Sequence, residues 1–358
     1  MDPLSLASYD YTLPKECIAI EPIRPKEAAK LLVFRRKDST ITHSTFRDFA
    51  SFLPKDTLLV FNNTKVLSAR IYGEKLLNYP LNQRGAKIEA LFHKELSNNR
   101  YLMQFKGRLK PNNTIAFDNV YARILKDSTH FGIGFKEAEF FTLQANKEIP
   151  LSRDDFFTFL EHSGHIPLPP YIKRSDTIAD KEDYQSVFAK HLGAIAAPTA
   201  SLHFSKSAYT ELNKHFNTTE ITLHTGAGTF IGVSVENILE HAMHTESFFI
   251  SEDSARKLKE AKHITAIGTT TARTIETYVR SNAFNKGEAL SGECDLFLHP
   301  KNPPKATHAL LTNFHLPKTT LLMLVASFVG LEQTLSIYQE AIAHNYRFYS
   351  YGDGMLIL

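Results

Sequence analysis

The sequence predicts an α/β main domain carrying an inserted small all-β, barrel-like domain. Three observations support this: a length of 358 residues, a run of short strand-like segments in the first half, and strand-to-helix steps that recur through the C-terminal two-thirds. A chain this long exceeds the size at which a single core usually stops growing, so two domains are expected. The strand-like run comprises Val66–Tyr72, Ile88–Phe92, Tyr101–Phe105, Val120–Leu125 and Phe131–Phe135, divided by clusters such as Asn98-Asn99 and Pro111-Asn112-Asn113. Short strands at even spacing, with no helix between them, suggest a small barrel.

The flanking segments read differently. Leu31–Phe34 and Leu58–Phe61 are buried-strand runs, and Ser152 is placed to cap a helix over Arg153–His162 that stops at Gly164. Further on, Ile221–Leu223 leads into Gly226-Ala227-Gly228, Ile264–Ile267 into Gly268-Thr269-Thr270-Thr271, and Ala309–Leu311 into Thr312-Asn313-Phe314-His315. Glu252–Lys262, Thr271–Val279 and Glu332–Ala343 carry apolar residues at helical spacing. Alternating strand and helix means an α/β layer. The expected division is a discontinuous α/β domain of residues 1–65 and 152–358, with the β insertion at 66–151.

Composition narrows the class. The chain is 43% hydrophobic and 22% charged, with 26 Phe and 14 Tyr against no Trp, as in a folded globular protein. Cys17 and Cys294 form neither a metal-type spacing nor a disulfide framework, which fits a reducing compartment. Residues 1–11 lack the features of a signal peptide, and the apolar stretch Leu321–Leu331 is too short to cross a bilayer. A cytoplasmic protein, monomeric and without a membrane partner, is expected. The net charge of +3 is mild, but between residues 60 and 110 ten basic side chains face only Glu74, Glu89 and Glu95. Such an excess suits a phosphate-facing surface, and equally a solvated face balanced by the rest of the fold.

Five polar constellations follow the strands. In Pro198-Thr199-Ala200-Ser201-Leu202-His203-Phe204, small residues permit close backbone approach, Thr199 offers a hydroxyl and His203 a ring that titrates near neutrality. A lone histidine more often satisfies backbone groups than does chemistry. In His224-Thr225-Gly226-Ala227-Gly228-Thr229-Phe230, the glycines allow a tight turn with exposed N–H groups, although a bare Gly-x-Gly is often only a turn. Downstream, His241 and His244 lie three apart with no convincing third ligand, so no metal site is expected. In Gly268-Thr269-Thr270-Thr271-Ala272-Arg273, a helix start with hydroxyls and an arginine one turn inside suits a carboxylate or phosphate. Thr312-Asn313-Phe314-His315-Leu316-Pro317-Lys318 combines an amide, an aromatic face and two basic groups, as base recognition uses. Tyr346-Arg347-Phe348-Tyr349-Ser350-Tyr351-Gly352-Asp353 is unusually polar and aromatic for a closing edge strand. One shared cleft at the carboxyl ends of strands explains all five together.

These motifs, with Gly164-His165-Ile166-Pro167-Leu168-Pro169-Pro170-Tyr171, Tyr184-Gln185, Met243-His244, Tyr9-Asp10-Tyr11 and Asn62-Asn63-Thr64-Lys65, occur in an order that resembles the S-adenosylmethionine:tRNA ribosyltransferase-isomerases of the queuosine pathway. The resemblance spans essentially the whole chain. Departures are mild: Cys294 stands where that family usually has Thr, Ser201 where it has Gly, Thr225 where it has Val and Lys65 where it has Arg. The resemblance implies transfer of the ribosyl portion of S-adenosylmethionine, a co-substrate and not a recycled cofactor. The acceptor would be 7-aminomethyl-7-deazaguanine at the tRNA wobble position, giving epoxyqueuosine with release of adenine and methionine. The sulfonium acidifies the ribose 5′ C–H, so a base is needed, and departing adenine benefits from an acid. His203, His224, His244 and His315 are the candidates, with Asp295 as an orienting or sulfonium-stabilising carboxylate. Thr269, Thr270 and Arg273 suit the methionine carboxylate. Phe204, Phe230 and Phe314 offer stacking faces, and Thr199, Gly226, Gly228, Thr229, Asn313, Lys318, Tyr351 and Asp353 complete the expected binding set. Two rival readings are a conventional methyltransferase, which would release S-adenosylhomocysteine, and a non-catalytic tRNA-binding protein, which leaves the histidine-rich motifs unexplained.

Overall fold

A computed structural model describes all residues except 78, 80–82, 98, 129–133 and 227–231. The chain divides into two compact units, one of residues 1–65, 170–173 and 182–358, the other of residues 66–169 and 174–181.

The first unit is built on a nine-stranded mixed sheet. Its strands lie side by side in the order Leu290–Cys294, Glu246–Ile250, Asn217–Leu223, Thr57–Asn62, His263–Ile267, Ala309–Asn313, Gly354–Ile357, Lys30–Arg35 and Thr40–Thr45. Four consecutive central strands, Asn217–Leu223 through Ala309–Asn313, run parallel. The buried-strand expectations are met: Leu31 to Phe34 and Leu58 to Phe61 are at most 3% exposed, because both faces of the sheet are covered. On one face Leu32, Phe34, Leu58 and Val60 pack with the helices Glu252–Glu260, Thr269–Val279, Thr320–Val329 and Leu331–Ala343. On the other, Leu31, Val33, Leu59 and Phe61 pack with Phe46, Phe49, Phe204 and Leu212 of the helix Lys206–His215. Among the described residues no single helix is long and apolar enough to cross a membrane.

Helix Thr269–Val279 carries a fully buried carboxylate, Glu276. It accepts hydrogen bonds from the N–H groups of Lys305 (2.7 Å), Ala306 (2.9 Å) and Thr307 (2.8 Å), and it pairs with Arg280. Burial alone would raise its pKa, but these donors outweigh burial and hold it below the ordinary carboxylate range. Glu276→Ala orphans three N–H groups at once and should cost at least about 2 kcal/mol of stability, read from chemical denaturation.

The second unit contains the predicted barrel. Six antiparallel strands close on themselves in the order Arg70–Leu76, Arg84–Ser97, Arg100–Lys106, Phe135–Gln144, Val120–Asp127 and Thr114–Phe117, and Lys147–Pro150 extends one strand as a hairpin. Three local expectations are corrected. The first barrel strand starts at Arg70, not Val66. The last starts at Phe135, residues 131–133 of the expected run lying outside the described residues. Thr114–Phe117 was not anticipated, because four residues bounded by Asn and Asp are too short to show a period. The helix Arg153–Ser163, capped by Ser152 as expected, packs with the barrel. Its Phe156 is fully buried and stacks on Tyr101 at 3.8 Å between ring centroids, with Phe140 at 4.7 Å. This aromatic plug explains why the second unit extends past the expected limit at residue 151.

The basic excess of the barrel is partly neutralised. Glu74 pairs with Arg84 (3.1 Å), Glu89 with Lys106 (2.9 Å) and Arg70 (3.3 Å), and Glu95 with Arg153 (2.8 Å). Lys87, Arg100, Arg108 and Lys110 are exposed beside these pairs.

Candidate active site

A cleft opens in the first unit where the parallel strands end. Open α/β sheets bind ligands at this end of their strands. Strand His263–Ile267 delivers Gly268, Thr269 and Thr270, and strand Ala309–Asn313 delivers Thr312, Asn313 and His315. Thr225 follows strand Asn217–Leu223, and Thr199, Tyr184, Tyr349 and Ser350 close the wall.

Asn62, fully buried at the end of its own strand, organises these strand ends. Its Nδ2 donates to the Leu223 carbonyl (3.1 Å) and Thr270 Oγ1 (3.2 Å), while its Oδ1 accepts from the N–H groups of Leu223 (3.0 Å) and Thr64 (3.2 Å). One amide thereby uses its full bonding capacity to fix the Thr270 hydroxyl beside the cavity. Gly268 adopts φ +98°, a conformation that favours glycine, and its N–H bonds to the Leu311 carbonyl at 2.8 Å. The helix Thr269–Val279 then starts at the cavity wall, and its first-turn N–H groups have no intrahelical acceptor. Close by, Thr225 Oγ1 is buried and finds no hydrogen-bond partner among the described residues.

His315 lines the cavity, with Nε2 at 2.8 Å from Thr312 Oγ1 and its backbone N–H donating to the Tyr338 hydroxyl at 3.1 Å. Burial pushes its pKa down to about 3, so the ring is neutral at physiological pH. His203 lies behind the wall. It stacks on Phe46 at 4.0 Å between centroids, and its Nε2 is 3.3 Å from Asn313 Nδ2, whose amide oxygen accepts from Thr199 Oγ1 at 2.8 Å. Its pKa is also pushed down to about 3, first by burial and then by the charges of Arg347 and Lys26. Both rings bind a proton less readily folded than unfolded. Stability is therefore full above about pH 6.5 and falls as the pH drops toward 3, by about 1.4 kcal/mol per pH unit for each ring. Melting temperature against pH should show this loss below pH 6.5, and His203→Asn should remove about half of it.

Several predicted site residues lie elsewhere. Phe314 is fully buried against Tyr338, Tyr346 and Phe348, and Phe204 is 3% exposed among Phe46, Phe49 and Phe61, so neither presents a free stacking face. Arg273 reaches the cavity wall but is 7% exposed, paired with Glu246 and bonded to the Leu296 carbonyl at 3.1 Å. Its charge is thus already committed. Lys318 pairs with Asp10 at 2.6 Å, and Asp295 is exposed outside the cavity lining. Asp353 is a loop staple, accepting the N–H groups of Lys30 (3.0 Å) and Arg347 (2.7 Å). Tyr351 is buried edge-on to Tyr184. His224 bonds Thr64 Oγ1 at 2.8 Å, packs over Gly193 and has its pKa lowered, mainly by burial. The Gly226 N–H donates to Glu246 Oε1 at 3.0 Å, whereas Gly228, Thr229 and Phe230 lie outside the described residues. His244 lines an adjoining cavity with His241 and Met243, and the two cavities share Arg273 and Leu321.

Tyr349 was missed although its motif was singled out. Its backbone sits at φ +75°, an unusual conformation for a tyrosine, held by its N–H to the Phe314 carbonyl (3.0 Å) and by Gly352 N–H to its own carbonyl (3.0 Å). Its ring lies 4.0 Å from Tyr171, whose hydroxyl accepts the Ser350 N–H at 3.0 Å, and burial pushes its pKa up to about 12. Tyr184, Ser350 and Asn62 were likewise passed over. Asn62 and Tyr184 entered the sequence reading only inside motifs that carried the family resemblance, with no role of their own.

The profile of the queuosine biosynthesis protein family matches residues 6–357. This chain belongs to that family. Among queuosine biosynthesis proteins it is 47% identical to the S-adenosylmethionine:tRNA ribosyltransferase-isomerase of Aliarcobacter butzleri over 361 residues, covering all of both chains. It is 48% identical to the enzyme of the same name from Helicobacter pylori strain J99, again with full coverage, and to that of Campylobacter jejuni, covering 99% of each. The crystal structure of S-adenosylmethionine tRNA ribosyltransferase from Thermotoga maritima matches 98% of this chain and 100% of its own, with a TM-score of 0.53 and 30% identity.

Proposed function

We propose that this chain transfers and isomerises the ribosyl portion of S-adenosylmethionine onto 7-aminomethyl-7-deazaguanine at the wobble position of tRNA, forming epoxyqueuosine-tRNA and releasing adenine and methionine. Full-length relatedness to proteins named for ribosyl transfer from S-adenosylmethionine to tRNA supports the reaction class. The observation that carries the siting is the neutral His315 ring in a hydroxyl-lined cavity where Arg273 is already paired with Glu246.

A cationic sulfonium is poorly served by a protonated wall and well served by a neutral imidazole. His315 is the base that removes the ribose 5′ proton, oriented through Nε2 by Thr312. The methionine carboxylate is held by the first-turn N–H groups of helix Thr269–Val279, with the hydroxyls of Thr225, Thr269 and Thr270, because Arg273 is occupied. Tyr349 supplies the aromatic face for a flat base. His203 is a positioning residue acting through Asn313 and Thr199. His244, at the wall of the adjoining cavity, takes the acid role for departing adenine. The exposed bases of the barrel, Lys87, Arg100, Arg108 and Lys110, face tRNA phosphates. The protein works in the cytoplasm, where tRNA and S-adenosylmethionine are found together.

Mixing the purified chain with S-adenosylmethionine and tRNA bearing the deazaguanine precursor tests the reaction. Free adenine, free methionine and a heavier tRNA are expected. S-adenosylhomocysteine would indicate methyl transfer instead, and the absence of turnover with intact tRNA binding would leave only a binding protein.

A further inference from the structure

Outside the strand-end cavity, three side chains converge at one edge of the sheet. His43 projects from the edge strand Thr40–Thr45, and Glu340 and His344 stand four residues apart at the C-terminal end of helix Leu331–Ala343. One donor atom from each lies within 4.8 Å of the others. We propose that His43, Glu340 and His344 form a binding site for one divalent transition-metal ion of the zinc or nickel type.

The distances fit such an ion. Glu340 Oε1 is 3.3 Å from His43 Nε2 and 3.0 Å from His344 Nδ1. For metal–ligand bonds of roughly 2.0–2.1 Å, the ligand–ligand edge of a tetrahedron is about 3.3 Å, close to the donor separations here. The imidazoles are stacked, with centroids 4.2 Å apart and planes 25° apart, so their side chains must rotate to turn both in-plane lone pairs toward one ion. His43 has the outer partner that metal-bound histidines commonly use. Its Nδ1 is 2.9 Å from the Tyr346 hydroxyl, and donation there leaves the Nε2 lone pair for the ion.

His344 Nδ1 also lies 3.0 Å from the Glu340 carbonyl oxygen, a bond it gives up when the proton moves to Nε2 and Nδ1 becomes the ligand. Two imidazoles and one carboxylate favour zinc, nickel or copper over magnesium or calcium, which take oxygen-rich sites. His43 and His344 are exposed, which leaves the remaining coordination position to water. Without a metal, the same contacts would be two histidine–carboxylate pairs, a reading the experiment separates.

The full-length chain, stripped with chelator, is titrated with Zn²⁺ alone in a calorimeter, and its melting temperature is followed with and without the ion. One high-affinity equivalent and a zinc-dependent rise in melting temperature are expected. H43A, H344A and E340Q, all at solvent-accessible positions, should each weaken that equivalent at least about tenfold with unchanged circular dichroism. H162A, at a histidine outside the cluster, should bind as the unaltered chain does. Unchanged binding by the H43A/H344A double variant, or no zinc-dependent stabilisation of the unaltered chain, overturns the proposal.

Discussion

His315→Ala should reduce the rate of ribosyl transfer by about 10²- to 10⁴-fold while leaving tRNA affinity unchanged, the range a positioned general base contributes. The expectation rests on the ring's place in the cavity wall, on its bond to Thr312, and on burial that keeps it unprotonated at neutral pH. Because that pKa is pushed down to about 3, the base limb of the kcat/KM profile should lie well below pH 6, not near the ordinary imidazole value. His203→Ala makes a useful contrast. Its ring reaches the cavity only through Asn313, so it should raise KM and lower stability more than it lowers kcat. Equal kcat losses in both variants would transfer the chemistry away from His315.

Arg273→Met should cost about 3–5 kcal/mol of stability, the penalty for leaving a buried carboxylate without its cation. Glu246 is 5% exposed, and after the substitution the Gly226 N–H would be its remaining charge-stabilising donor among the contacts described above. The double variant Arg273→Met/Glu246→Gln should recover most of that loss, since no unpaired charge remains. It also separates two uses of the arginine. If the methionine carboxylate is held by the helix start and the threonine hydroxyls, KM for S-adenosylmethionine changes little in the double variant. A hundredfold rise in KM at restored stability would mean that Arg273 holds the carboxylate after all.

The fold was legible wherever periodicity was strong. Leu31–Phe34 and Leu58–Phe61 read as continuous apolar runs because both faces of their strands are covered, and the barrel showed itself through Ile88–Phe92 and Tyr101–Phe105. Thr114–Phe117 was too short to read, and Arg153–Ser163 declared a helix but not which core its Phe156 would fill.

At the site, motif position identified the cavity better than it identified side-chain roles. Thr269, Thr270, Asn313 and His315 line the cavity because they sit at or just beyond the carboxyl ends of parallel strands. Phe314 lies between two of them and points the other way, into the aromatic core, as alternation along an extended chain requires. Arg273 looked like a ligand for an anion because the sequence does not reveal that Glu246, on another strand, reaches it first. Tyr349 and Tyr351 were indistinguishable by composition; in the fold Tyr349, with a left-handed backbone, lines the cavity, whereas Tyr351 packs edge-on to Tyr184.

The most direct test of the central claim is a crystal structure of the chain with bound S-adenosylmethionine. The carboxylate should lie within hydrogen-bonding distance of the first-turn N–H groups of helix Thr269–Val279, with the ribose 5′ carbon facing the His315 ring. S-adenosylmethionine bound away from this cavity, or bound with His315 remote from the ribose, would contradict the account.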